Sequence, residues 1–105
     1  MRRRDSVGWC SPPLLVLGAL AAGPLHGYGI IQQVHQATGI TLGAGTLYAA
    51  LARLEGDGMV RALAATDRRR PYEITGAGAR ELRTKISQMS AFATNTTARL
   101  ARGTA

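Results

Sequence analysis

The chain has 105 residues, of which 46% are hydrophobic, and a formal net charge of +7 from 13 basic and 6 acidic residues. A chain of this length forms one small domain, and its apolar content excludes an intrinsically disordered protein. The positive charge favours a polyanionic partner, which can be nucleic acid or an acidic membrane surface. The alternative is that the charge only keeps the protein soluble. The one cysteine, Cys10, cannot form an internal disulfide or a cysteine-based metal site, and it fits a reducing cytoplasm.

The first predicted element is a buried helix that begins at Pro12 and ends before Gly23. Proline is favoured in the first helical turn, and residues 14–22 are apolar or small. A basic start at residues 1–4 followed by an apolar stretch also resembles a secretory signal peptide. The stretch is too short to span a membrane. We therefore interpret it as a core helix and keep export, with a mature chain starting near Gly23, as the alternative.

Two more helices are predicted, with a short connection at residues 40–42 between them. The segment "HGYGIIQQVHQAT" (26–38) has an apolar stripe at helical spacing and is followed by Gly39, a typical C-terminal cap. The segment "TLGAGTLYAALARLEG" (41–56) repeats leucine on one side and is closed by Gly58.

The opposite side of this third helix is unusual for a solvent-facing surface. Such a surface normally carries Lys and Glu, whereas this one carries small residues, a hydroxyl, a phenol and one cation: Gly45, Thr46, Tyr48, Ala49, Ala52 and Arg53. A face of this kind can approach another macromolecule closely.

After Gly58 the periodicity changes to the alternation of β-strands on both sides of a polar tip at residues 66–68. This pattern predicts a two-stranded hairpin in which the nitrogen of Pro71 faces solvent. A helix then runs from Gly76 to about residue 101, with a tail at 102–105. Its apolar or small positions form a heptad-like seam, which predicts dimerisation through Leu82, Ile86, Met89, Phe92 and Ala93. Packing on its own domain would account for the first two turns of this helix, whereas the distal half needs another chain or must fray.

Three helices followed by a hairpin predict a winged helix-turn-helix, a mainly α fold of the α+β type with a two-stranded wing and a long C-terminal dimerisation helix. Its parts are a basic segment (1–12), the DNA-binding domain (13–75), the dimerisation helix (76–101) and the tail. The third helix would enter a DNA major groove about 12 Å wide. The predicted DNA contacts are Gly45, Thr46, Tyr48, Ala49 and Arg53 of this helix, His26 and Tyr28 near the start of the second, and Arg68, Arg69 and Arg70 of the wing.

Other interpretations of these residues remain open. Tyr48 can pack on the second helix, Thr46 can bond its own backbone, and the wing arginines can be merely solvated. His26 and His35 lack acidic or cysteine neighbours at ligand spacing, so we predict no metal site and no cofactor. No catalytic set of residues is recognisable, which makes an enzyme the least supported class.

The segments "GPLHGYGI", "GTLYAALARLEGDG" and "RRRPYEITGAGARELR" resemble the PadR family of transcriptional regulators, from about residue 14 to 83. The resemblance implies a dimeric repressor that binds an inverted-repeat operator. The compact C-terminal part resembles the smaller subgroup of the family. It also implies a small aromatic effector, for which Trp9, Met89 and Phe92 are the candidate contacts.

The chain departs from the family pattern in two places on the third helix. Gly43-Ala44 replaces the usual Ser-Pro, which removes a side-chain cap, and Ala49 replaces a proline.

From the helix face, the wing arginines and the resemblance, we predict a cytoplasmic, homodimeric DNA-binding repressor without a membrane partner. The alternative is a winged helix that contacts another protein and reads no DNA sequence.

Overall fold

The computed structural model describes residues 10–103, which form four helices and a three-stranded antiparallel sheet. The helices are α1 (Pro12–Ala19), α2 (Gly27–Thr38), α3 (Ala44–Gly56) and α4 (Gly76–Gly103). The strands are β1 (Leu25–His26), β2 (Val60–Ala62) and β3 (Pro71–Ile74). This is the predicted winged helix-turn-helix class, with a wing at the β2–β3 hairpin.

The helix α1 lies at the centre of the core. Its Val16 and Leu17 side chains and that of Leu20, the residue after its end, are fully buried, and the helix contacts α2, α3 and α4. Ser11 caps its start by accepting a hydrogen bond from the Leu14 amide at 3.4 Å. The apolar N-terminal stretch is thus the centre of the domain core. Among residues 10–103, no helix combines the length and apolar character needed to cross a bilayer.

The helix-turn-helix consists of α2, the connection at residues 39–43, and α3. The helix α3 buries the apolar stripe that its spacing predicts, and Leu42 anchors the connection in the core. In α2 the residues Ile30 and Val34 of the predicted stripe are buried, but Ala37 near its end is exposed. Gly43 stands at the start of α3 without a side-chain hydrogen bond to the helix, as expected for a residue that replaces a capping serine. The buried stripe of α3 determines which of its faces is exposed.

The sheet has three strands, so the prediction of a two-stranded wing was incomplete. β3 lies between the other two strands, and β1 pairs with it through Leu25 opposite Tyr72 and His26 opposite Pro71. Two residues are too few to show a period-two pattern, which is why the sequence did not reveal β1. The added strand ties the start of α2 to the wing.

The prediction that the nitrogen of Pro71 faces solvent was wrong. The Pro71 carbonyl accepts a hydrogen bond from the Leu63 amide at 2.8 Å, and in an extended strand a residue's nitrogen and carbonyl point to the same side. The nitrogen therefore faces β2, where it has no hydrogen to donate. Arg70 Nη1 donates to the Leu63 carbonyl at 3.2 Å instead, which supplies the bond that the proline cannot.

The helix α4 extends well beyond the domain. Its 28 residues correspond to a length of about 42 Å, and it ends at Gly103, two residues later than predicted. Gly78 and Leu82 are its buried residues, whereas residues 90–103 are exposed apart from half-buried Thr96. The first turns therefore pack on their own domain, and the remaining turns project from it.

Candidate nucleic-acid interface

The exposed face of α3 contains the six side chains that the sequence assigns to it. Gly45, Thr46, Tyr48, Ala49, Ala52 and Arg53 are all exposed, while the leucines on the other face are at most 1% exposed. The first acidic residue on the helix is Glu55, in its last turn. The face is therefore slim and free of negative charge over its first ten residues, which suits close approach to a polyanion.

One edge of this face borders the start of α1. Thr46, Ala49 and Arg53 line a shallow depression of about 410 Å³ together with Pro12 and Pro13. Arg53 Nε lies 4.0 Å from Asp57 Oδ2 in the next turn, and both side chains are about half exposed. An exposed ion pair at this distance contributes at most about 1 kcal/mol, so the guanidinium remains available to a phosphate.

The other edge of the face opens into a cavity of about 330 Å³, here called the basic cavity. Its lining residues come from the start of α2, from α3 and from the wing: His26, Gly27, Tyr28, Tyr48, Arg68, Arg69, Arg70 and Tyr72. None of them is acidic, and all three tyrosines of the chain are among them. The fold thus brings together six of the predicted DNA contacts and adds Gly27 and Tyr72.

Tyr48 is positioned by the backbone of Gly27. A Cβ on Gly27 would overlap the Tyr48 hydroxyl and approach Tyr48 Cζ to 3.1 Å, so the phenol lies directly over this glycine. The ring packs on α2, and the residue is nevertheless 52% exposed and lines the basic cavity. Nothing local in the sequence marks Gly27 for this role. The alternation of residues in the hairpin marks Tyr72 as an apolar strand position. The sequence therefore does not assign Tyr72 to the cavity either.

The three wing arginines are bound differently within the chain. Arg70 completes the β2–β3 ladder through the Leu63 carbonyl, and Arg69 Nη1 lies 3.0 Å from His26 Nε2. Within residues 10–103, Arg68 makes no hydrogen bond or ion pair. It sits in the turn at the wing tip, where Asp67 and Arg68 both have positive φ. Arg68 is therefore the wing cation with the greatest freedom to contact a ligand.

Two acidic residues belong to the hairpin: Asp67 in the tip turn, which lines a cavity with His26 and Arg69, and Glu73 of β3. Glu73 of β3 accepts a hydrogen bond from Arg61 Nε of β2 at 2.9 Å, and the two side chains also form an ion pair. The cross-strand pair offsets the charge of Glu73, whereas Asp67 is exposed next to Arg68. In the described part of the chain, no three His, Cys, Asp or Glu residues form a group that could hold a metal ion.

The residues predicted for dimerisation fall into two environments. Leu82 is buried in its own domain, Met89 is half-buried, and Ile86, Phe92 and Ala93 are exposed on α4. Ile86 and Met89 border an apolar groove of about 320 Å³ between α1, α2 and α4. Of the predicted effector contacts, Met89 lines this groove and Phe92 lies farther along α4, while Trp9 is outside the described residues.

Comparison with known proteins relates this architecture to a family of regulators. A profile described as "Transcriptional regulator PadR-like family" matches residues 16–84, which is more than half of the chain. A Streptomyces fradiae protein, described as an uncharacterized 37.1 kDa protein in transposon TN4556, is 55% identical over 69 residues. Those residues make up 66% of this chain and 20% of that protein, so the chain spans about a fifth of this relative.

Solved structures share the fold over most of both chains. A transcriptional regulator from Clostridium thermocellum has a TM-score of 0.71 and 26% identity, covering 81% of this chain and 88% of its own. A PadR family transcription regulator from hypervirulent Clostridium difficile R20291 has a TM-score of 0.76 and 23% identity, covering 85% and 97%. With the helix-turn-helix, the wing and the family match all in place, the chain belongs to the PadR-like family of transcriptional regulators.

Proposed function

We propose that the protein is a sequence-specific DNA-binding repressor that acts as a homodimer on an inverted-repeat operator in the bacterial cytoplasm. The observation that carries this proposal is the exposed face of α3, which lacks acidic residues and is continuous with the basic cavity. Surfaces that bind duplex DNA combine a slim reading element with flanking cations. Both features occur here on one side of the domain.

In the proposed complex, α3 enters the major groove. Gly45 and Ala49 permit close approach to the bases, and Ala49 presents a methyl group that suits contact with a thymine methyl. Thr46 and Tyr48 carry hydroxyls that donate to base edges or phosphates, and Arg53 contacts a phosphate where the helix leaves the groove.

The residues beside α3 add contacts to the DNA backbone. The wing arginines bind phosphates or enter a narrow minor groove, and their contribution weakens as salt increases. His26 and Tyr28 contribute from the start of α2. The proposal for these two residues is supported by their position, because they line the basic cavity together with the wing arginines.

A second copy of the chain is the proposed partner of α4. Ile86 and Phe92 are 50% and 55% exposed. Together with Met89 and Ala93 they continue the apolar seam beyond Leu82, the seam residue that is buried in its own domain. A two-fold symmetric pair places two α3 helices on one side of the duplex, about 34 Å or one turn apart. That symmetry is the reason to expect an inverted repeat.

A planar aromatic effector that relieves repression is a further part of the proposal. It would bind between the subunits near Met89 and Phe92, with Trp9 as a stacking partner. Trp9 is the one tryptophan of the chain, so its fluorescence reports on such a site directly. Quenching by planar aromatic compounds at micromolar concentration is expected, and no response to any of them would remove the effector from the proposal.

The main test is selection of bound sequences from a random duplex pool, repeated at two salt concentrations. We expect an inverted repeat to be enriched. Binding that is unselective and disappears with salt would contradict sequence reading, and no binding even at low salt would favour a winged helix that contacts another protein.

The contribution of the wing is tested with the variant in which Arg68, Arg69 and Arg70 are all changed to Ala. We expect weaker binding to every duplex and a flatter dependence of log K on log salt, by about 0.9 for each phosphate that the variant no longer neutralises. An unchanged slope would exclude the wing from the mechanism. Arg102→Gln, at the far end of α4, is the control for loss of a single positive charge.

A further inference from the structure

His26 connects the start of α2 to the wing through both of its ring nitrogens. Its Nδ1 accepts a hydrogen bond from the Gly29 amide at 3.3 Å and so caps α2. Its Nε2 lies 3.0 Å from Arg69 Nη1. The backbone of His26 is held in β1 opposite Pro71, so the ring stays beside the wing.

These two contacts cannot both be hydrogen bonds. The Gly29 amide and the Arg69 guanidinium are donors only, and a neutral imidazole has one accepting nitrogen. When Nδ1 accepts from Gly29, Nε2 carries the ring hydrogen and directs it at another donor. When Nε2 accepts from Arg69, the cap of α2 is lost, and a positively charged ring accepts from neither.

An acceptor that lies beside the pair, within hydrogen-bond reach of both Nε2 and Nη1, resolves this conflict. It would take one hydrogen bond from the imidazole and one from the guanidinium, while Nδ1 continues to cap α2. A phosphate oxygen fits, because it is anionic, accepts several hydrogen bonds and pairs well with Arg. The site is accessible, since His26 and Arg69 both line the open basic cavity beside Tyr28 and Tyr48.

We propose that His26 and Arg69 together bind one backbone phosphate of the DNA duplex, and that this shared phosphate locks the wing onto the start of α2. The inference rests on the proposed DNA-binding function and assigns two of its contacts to a single group. In the free chain the histidine and the arginine compete for hydrogen-bonding capacity, whereas in the complex both are satisfied. Binding therefore couples the wing to the helix-turn-helix.

A double-mutant cycle tests whether the two side chains act on one phosphate. His26→Asn keeps an acceptor for the Gly29 amide, because Asn is a strong N-cap residue, but it removes the Nε2 donor. Arg69→Gln removes the cation at an exposed position of the wing. The probe is a 30-bp duplex taken from the selection experiment, and Arg102→Gln is the control.

Each single change is expected to weaken binding on the order of tenfold, as for loss of a hydrogen bond to a charged group. In the Arg69→Gln background, His26→Asn should then have little further effect. Effects that multiply fully would mean that the two residues bind separate groups, and this would overturn the shared site. So would an unchanged affinity in both single variants.

The imidazole signals provide a second test that does not depend on a variant. The chain has two histidines, and His35 is exposed farther along α2, so it serves as an internal reference in 15N NMR spectra. Adding the duplex should shift the Nε2 signal of His26 and leave that of His35 unchanged. A shift with inorganic phosphate alone and none with the duplex would overturn the assignment to the DNA backbone.

The outcomes separate this inference from the proposed function. If the wild-type chain binds no duplex, the proposed function fails and the shared phosphate fails with it. If the wild-type chain selects an operator and the His26→Asn and Arg69→Gln variants bind it equally well, only the shared phosphate is overturned.

Discussion

Gly78, the third residue of α4, shows how closely the long helix approaches the start of the wing. A Cβ at this position would overlap the carbonyl oxygen of Met59 and lie 2.9 Å from Ile74 Cγ1. The Met59 carbonyl is held in place because it also accepts from the Thr75 amide at 3.0 Å. Backbone cannot swing away as the end of a side chain can, so the glycine is required here for close packing.

Gly78→Ala is therefore expected to lower the free energy of unfolding by about 1–3 kcal/mol, the usual cost of overpacking. Urea denaturation followed by circular dichroism measures the change. The matched control is Gly76→Ala two residues earlier, where the nearest atom to a new Cβ is Arg80 Nη1 at an ordinary 3.7 Å. We expect that change to be neutral or to stabilise the protein by a few tenths of a kcal/mol. Equal effects of the two substitutions would contradict the packing explanation.

The wing owes its shape to a tight two-residue turn. Thr66 and Arg69 exchange two backbone hydrogen bonds of 2.8 Å, and the residues between them, Asp67 and Arg68, have φ values of 50° and 67°. Positive φ at both positions defines a type I′ turn, which prefers Asn-Gly. Arg68 is in the left-handed region at a cost of about 1–2 kcal/mol, which glycine would not incur.

Two substitutions separate the charge of Arg68 from its backbone conformation. Arg68→Gly and Arg68→Ala both remove the cation, so we expect them to weaken DNA binding equally and to reduce the salt slope equally. Only the glycine relieves the left-handed conformation, and Arg68→Gly should therefore be the more stable variant by about 1 kcal/mol. Thermal denaturation measures this difference. A higher stability of Arg68→Ala would contradict the turn geometry.

The elongated shape of the protein follows from α4. The described chain extends 59 Å in its longest direction and 27 and 25 Å in the other two, although its core is a small domain. Isolated helix turns are marginally stable in water, which supports the proposal that the projecting half of α4 packs on a second copy of the chain. The exposed apolar side chains on this half suit a second copy of the chain.

Ile86→Glu tests the proposed dimer. The side chain is 50% exposed in the single chain, so we expect little loss of domain stability, whereas a symmetric dimer would bury two like charges. The dimer dissociation constant should rise by about 100-fold, which corresponds to roughly 3 kcal/mol. Sedimentation equilibrium measures it, and binding to an inverted repeat should fall more than binding to a half-site.

Thr84→Glu is the matched control for this substitution. It introduces the same charge on the same helix, but position 84 lies about 160° around the helix from Ile86 and is exposed. The control should remain dimeric. Dissociation of both variants, or of neither, would contradict a dimer seam along Ile86 and Met89.

Much of the local structure was predictable because it depends on residues close together in sequence. Apolar spacing in α2 and α3, proline at the start of α1 and the polar wing tip at residues 66–68 determine those elements through contacts within a few residues. The same spacing determined that the small, mildly polar face of α3 is exposed. The family motifs are equally local, and the match to residues 16–84 confirmed them.

The remaining features depend on contacts between distant segments. His26 and Arg69 are 43 positions apart, and they meet because β1 pairs with β3, a pairing of two residues that leaves no period in the sequence. The same pairing decided that Pro71 lies in a central strand. The burial of Leu82 by its own domain was likewise decided by how α4 packs on α1. Local patterns specify which face of an element is apolar, but the partner of that face is selected by the packing of the whole chain.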